Sequence, residues 1–164
     1  MRVLVLHPNF PAQFKHLLKP LAQKGHEIVF LCQTHYGRKI NGVRLLTLKG
    51  KYGHDELISN NLSIIKRTQF VAEQYRSALQ NLSKNGWHPE VVISHSGWGC
   101  GLYVKETWPK AYFISYIEWW FNPLSEFFNH DSKNKEIGIG TQSTKKNWDR
   151  NLYLALELSS SDKI

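Results

Sequence analysis

Val91-Val92-Ile93-Ser94-His95-Ser96-Gly97-Trp98-Gly99-Cys100-Gly101 decides how this chain is read. A β-branched apolar run ends at a serine and a histidine, and glycine then recurs at every second position. An uninterrupted run of this kind marks a strand covered on both faces, as in a parallel sheet. The glycines are spaced GxGxG, and they follow a strand that is not the first. The dinucleotide fingerprint is GxGxxG after the first strand, so a nicotinamide or flavin site is rejected. The Lys-Ser/Thr ending of a P-loop is missing as well. Two readings stay open. The glycines permit a tight turn into a helix, or their small size lets backbone amides at a helix start approach an anion or a sugar hydroxyl. In both, a helix begins inside this segment and runs to about Glu106.

Outward from that stretch, the same alternation repeats. Upstream, Pro89 leads into the strand, expected over Glu90 to Ser94. A long helix is expected from Glu56 to Lys84, on the stripe Ile58, Leu62, Ile65, Val71, Tyr75, Leu79 and Leu82, closed by Gly86. Arg2 to Leu6 is a first strand. Phe14, Leu17, Leu18, Leu21 and Ala22 form a helical stripe, with Pro11 in its first turn, Gly25 at its C-terminal cap and Pro20 as an internal bend. Glu27 to Cys32 is a second strand, and Val43 to Leu48, after the turn signal Asn41-Gly42, a third. Downstream, Tyr112 to Ile117 is a fifth strand. An aromatic segment follows, with Trp119, Trp120, Phe121, Phe127 and Phe128. A polar loop over Asn129 to Thr144 is expected to be the most mobile piece. Trp148, Leu152, Ala155 and Leu156 form a last helical stripe. Strands and helices in this order predict one α/β domain over residues 1–164, a Rossmann-like three-layer structure with a mostly parallel sheet.

Composition narrows the function classes. The 164 residues are 41% hydrophobic, enough for a single ordinary core. No apolar run approaches the ~20 residues of a membrane-spanning helix. The apolar start is cut off at Pro8 and Pro11, so it reads as a strand and not a secretion signal. A cytoplasmic protein is expected. Cys32 and Cys100 fit free thiols. The net charge of +8 suits nucleic acid, an anionic membrane surface or a phosphorylated small molecule. Zinc-finger spacings and RNP-like aromatic motifs are missing.

An open parallel sheet binds ligands outside the carboxyl ends of its strands. The residues there are His7 to Pro11, Gln33 to His35, Ser94 to Gly97 and Glu118 to Trp120. A strand-end histidine such as His95 titrates near neutrality and serves as base or hydrogen-bond donor, or simply as a buried, satisfied side chain. Glu118 is an acceptor for hydroxyls or an ion-pair partner. Trp98 offers a flat face to a sugar ring or an apolar partner. His7, His35, His95 and Glu118 come from separate loops, without the short spacings of a metal site, so no metal is expected. The nucleophile elbow GxSxG is absent, and Ser94, His95 and Ser96 alternate faces on a strand, so a serine hydrolase is unsupported.

These residues carry a family resemblance. Leu6-His7-Pro8-Asn9-Phe10-Pro11-Ala12-Gln13-Phe14 with Gly25-His26-Glu27, then His88 to Gly99 with Trp108-Pro109, and more weakly Arg150-Asn151-Leu152 with Leu156, are similar to the N-terminal domain of retaining glycosyltransferases of family 4 from bacteria. The resemblance implies one half of a GT-B fold. Its first domain mainly binds a sugar or lipid-linked acceptor, and its second binds a nucleotide-sugar donor. No metal or other cofactor is implied. It makes His95 the candidate beside the transferred sugar. Asn9, Phe10, Gln13, Ser94, Gly97, Trp98, Gly99 and Glu118 become candidate substrate-binding residues. Pro-Asn-Phe-Pro-Ala stands in the first loop where the family has glycines. The donor-binding carboxylate motif lies in the second domain, so the isolated chain is expected to be an incomplete, inactive hexosyltransferase needing a donor domain or partner chain. Peripheral contact with the inner face of a membrane follows from the same reading; binding to nucleic acid does not. The alternative is a non-catalytic module of this fold that recognises a glycan, a nucleotide or a protein.

Overall fold

The computed structural model describes residues 1–48, 62–122 and 141–164, with the side chains of 141–144 and 146 outside the description. Its centre is a five-stranded sheet: β1 (Arg2–Leu6), β2 (Glu27–Cys32), β3 (Val43–Thr47), β4 (Val91–His95) and β5 (Tyr112–Tyr116). The order is β3-β2-β1-β4-β5, and every pairing is parallel. The expected mostly parallel sheet is thus wholly parallel.

Side chains alternate across each strand, so β1 feeds two cores. Leu4 and Leu6 join Val29, Leu31 and Val92 on one face, beneath Val71, Tyr75 and Leu79 of α2 (Ile64–Lys84). Val3 and Val5 join Ile28 and Phe30 on the other, against Phe10, Phe14 and Leu18. This double coverage makes β1, β2 and β4 continuous apolar runs in the sequence.

A 3₁₀ turn, Ala12–Phe14, leads into α1 (Lys15–Gln23), which runs through Pro20. Leu17, read as part of its buried stripe, is exposed. α2 starts at Ile64, where the Ser63 hydroxyl accepts the Lys66 amide at 3.3 Å. The earlier start read at Glu56, and Ile58 with it, lie outside the described residues. Past β5 the chain closes with α4 (Thr141–Ser160). Residues 129–140 of the expected polar loop are likewise outside, while 141–144 open α4 instead of continuing a loop. A short tail then covers β5: Lys163 bridges Ile114, and the Asp162 carboxylate accepts the Phe113 amide at 2.8 Å.

Two expectations are overturned. No helix starts in the glycine segment; residues 96–103 are turns, and α3 spans only Val104–Thr107. And α4 is inverted. Trp148, Leu152, Ala155 and Leu156 are exposed, whereas Asn147, Asn151, Tyr153, Leu154 and Glu157 are buried. No helix among the described residues is long and apolar enough to cross a membrane.

Candidate active site at the switch point of the sheet

β1 and β4 are neighbours, but the chain leaves them in opposite directions, toward β2 and toward β5. Their following loops therefore diverge and leave a crevice at the carboxyl ends. His7 follows β1 and His95 ends β4, so both reach that crevice, with ring centroids 5.1 Å apart. Burial pushes His7 down from 6.5 to about 4; the neighbouring His95 adds to this, and a hydrogen bond with the Asn9 backbone opposes it. Burial also holds His95 below its ordinary value, against the pull of Glu118. Two buried rings, tilted by 30° to each other, thus stay neutral at pH 7.

Trp98 sets the proton on His95. Its indole N–H donates to His95 Nδ1 at 2.9 Å. An indole nitrogen can only donate, so Nδ1 is the bare nitrogen and Nε2 carries the hydrogen. Nε2 lies 3.2 Å from Glu118 Oε2, whose side chain is 65% exposed. Among the described residues no aligned hydrogen bond takes that Nε2 group. His95 is therefore a neutral donor presented to the crevice beside an accessible carboxylate.

The glycine segment is occupied from inside. Glu157 of α4 is fully buried, and its Oε1 accepts the Gly101 amide at 3.2 Å. The Ser96 hydroxyl and the amides of Gly97 and Gly99 also favour its charge. Burial outweighs them and pushes the carboxyl from 4.5 up to about 7. The glycines are needed for this approach. Gly97 and Gly99 have φ +93 and +79, a region costly for residues with a Cβ. A Cβ on Gly99 would sit 2.8 Å from the Thr68 carbonyl, and one on Gly101 2.7 Å from the Phe113 ring. The reading in which a helix starts among these amides is corrected: the segment is a turn, and the chain's own Glu157 carboxyl packs against it and accepts the Gly101 amide.

His95, Gly97, Trp98 and Glu118 line one cleft of about 750 Å³. α2 lines it with Arg67 and Thr68, and α4 with Arg150 and Leu154. The other candidates fall elsewhere. Ser94 and Gly99 are buried beneath the cleft floor. Phe10 is core, edge-on to Phe30 at 4.9 Å. Asn9 is exposed on the β1 side, where its side-chain oxygen accepts from the Thr34 hydroxyl at 2.7 Å. Gln13 is exposed on the 3₁₀ turn. Neither Asn9 nor Gln13 lines the cleft. Among the described residues no group of three or more His, Cys, Asp or Glu is placed to hold a metal. Both cysteines are buried free thiols with pKa raised by burial.

Arg67 and Glu157 went unmarked in the sequence, and Arg150 stood there only in the weakest stretch of the resemblance, with no site role. Asn151 belongs with them in a different role. Its amide clasps the Phe121 backbone at both ends, accepting at 3.0 Å and donating at 2.6 Å. Phe121 in turn lies under the Arg150 guanidinium, 4.8 Å from ring centre. The visible signal was a polar residue at 147, 151 and 157 on one face of a helix, a pattern ordinarily assigned to solvent. In comparison with known proteins, a family model described as the glycosyl transferase family 4 group matches residues 24–163. No curated protein matches the chain.

Proposed function

The chain belongs to the glycosyl transferase family 4 group, and on that premise we propose that its cleft is the acceptor side of a retaining, hexosyl-transferring active site. A nucleotide sugar is the donor, and a second domain or partner chain brings it to the rim. The observation that carries this reading is His95, held as the Nε2–H tautomer between Trp98 and Glu118 at the sheet's switch point. The Nδ1 lone pair is engaged by Trp98, so His95 does not abstract a proton in this arrangement. It donates a hydrogen bond to a hydroxyl or leaving oxygen of the reacting sugar. The Glu118 carboxylate accepts from an acceptor or sugar hydroxyl. Trp98 supplies an apolar face to a ring.

The test is a transfer assay on the enzyme with its donor domain present. His95→Ala is expected to lower kcat/KM by about 10²-fold, the usual cost of one preorganised donor. His95→Asn, which keeps an N–H donor, is expected to lose less. A His95→Ala enzyme with an unchanged rate overturns the assignment. Without the donor domain the chain is expected to transfer poorly.

A further inference from the structure

Among the described residues, two arginines and one carboxylate line the cleft. They are Arg67, Arg150 and Glu118, and His95 lines the same cleft uncharged. Arg67 sits on α2 with its Nε buried and, among the described residues, unpartnered. Among the described residues its guanidinium makes no ion pair. A buried N–H without an acceptor is costly, and in a native site such a group points to a ligand or an ordered water. Arg150 enters the same cleft from α4. Its Cζ lies over the Phe121 ring, 4.8 Å from the centroid, and that residue's backbone is gripped by Asn151. Stacking orients the fork of donors before any ligand arrives. Two guanidiniums lining one cleft, Arg67 with an open Nε–H and Arg150 over an aromatic ring, suit the oxygens of a phosphoryl group. Glu118 and His95 line the rest of the cleft, where hydroxyls are recognised.

We propose that Arg67 and Arg150 form an anion subsite that takes a phosphoryl group carried by the acceptor. The acceptor is thereby a phosphorylated sugar or a sugar phosphodiester, and not a neutral glycan. This rests on the acceptor-side reading above. The subsite holds the phosphoryl group while the acceptor hydroxyl lies toward Glu118 and His95.

The test is a titration of the chain, followed by backbone and arginine Nε resonances, with a hexose 1-phosphate, a methyl hexoside, inorganic phosphate and a nucleoside diphosphate. The hexose 1-phosphate is expected to bind about tenfold more tightly than the methyl hexoside and to shift the Arg67 Nε signal. Inorganic phosphate is expected to compete with it. Arg67→Ala and Arg150→Ala are each expected to weaken it about tenfold, and Arg67→Lys, which keeps charge but loses the fork, by several-fold. Lys24→Gln, an exposed control removing one charge elsewhere, is expected to leave it within about twofold. Equal binding of the neutral and phosphorylated sugars overturns the proposal. So does an Arg67→Lys protein, folded by circular dichroism, that binds as wild type while Arg67→Ala does too. Binding of the nucleoside diphosphate alone also overturns it, since the arginines then serve the donor. None of these readouts depends on sugar transfer, so failure here is separate from failure of the His95 assignment.

Discussion

Glu157→Gln is expected to change how the stability of this protein depends on pH, through a group that never meets solvent. The carboxyl is fully buried in the glycine turn, and its folded-state pKa is pushed from 4.5 to about 7. Between those values the folded state binds a proton that the unfolded state has released. The stability this group contributes is therefore complete below pH 4.5 and is lost as pH rises to about 7. At 1.36 kcal/mol per pH unit, the loss is about 3 kcal/mol. His7 runs the other way. Its folded pKa is about 4 against 6.5, so its contribution is present above pH 6.5 and is lost as pH falls toward 4, again by about 3 kcal/mol. The two slopes oppose each other from about pH 4.5 to 6.5 and flatten the wild-type profile. Glutamine cannot ionise, and its carbonyl can still accept the Gly101 amide. Its NH₂ falls where Oε2 finds no partner, a cost that does not vary with pH. The assay is urea unfolding at constant ionic strength from pH 4.5 to 8, with stabilities extrapolated to water. The variant-minus-wild-type difference is expected to move by about 3 kcal/mol in the variant's favour over that range. A difference that stays constant with pH refutes a carboxyl whose burial outweighs its hydrogen bonds.

Three further outcomes follow from the same geometry. Gly99→Ala is expected to destabilise by about 2–4 kcal/mol, combining strained φ with a contact to the Thr68 carbonyl, while Gly25→Ala, at similar φ but with nothing within 4 Å, costs about 1–2 kcal/mol in the same denaturation series. Trp98→Phe removes the donor to His95 Nδ1; ¹⁵N spectra of the imidazole are expected to show one tautomer in wild type and a mixture in the variant, and a single unchanged tautomer would sink the role given to Trp98. Leu154→Ala, on the buried face of α4, is expected to cost about 2–5 kcal/mol, and Trp148→Gln, on the exposed face, to stay within about 0.5 kcal/mol by the same measurement.

The strands were legible in the sequence because a sheet covered on both faces leaves its periodicity in plain view. Val3 to Leu6, Ile28 to Cys32 and Val91 to Ile93 are apolar on both faces since each alternate residue feeds one of two cores. From their number and the helices between them came the α/β layers, the carboxyl-end rim and His95 on it. Trp98 and Glu118 were also reached, because they follow β4 and β5 closely. The resemblance to family 4 glycosyltransferases, carried by short stretches around β1 and β4, agrees with the family match over residues 24–163.

What tertiary structure alone decided was which groups those elements hold in place. Hydrophobic periodicity counts area to be buried, so it put Trp148, Leu152 and Leu156 inward. The fold instead buries Asn147, Asn151 and Glu157. Two of these satisfy backbone groups of loops far away in the chain: Asn151 on Phe121 and Glu157 on Gly101. A vacancy for a hydrogen bond leaves no mark in the order of residues, because it exists only once two segments approach. The same holds for the proton on His95, which is fixed by an indole three residues on that the turn folds back toward it. Sequence set the sheet and brought a histidine to its rim; only the packing of α4 against the glycine turn determined what that turn binds.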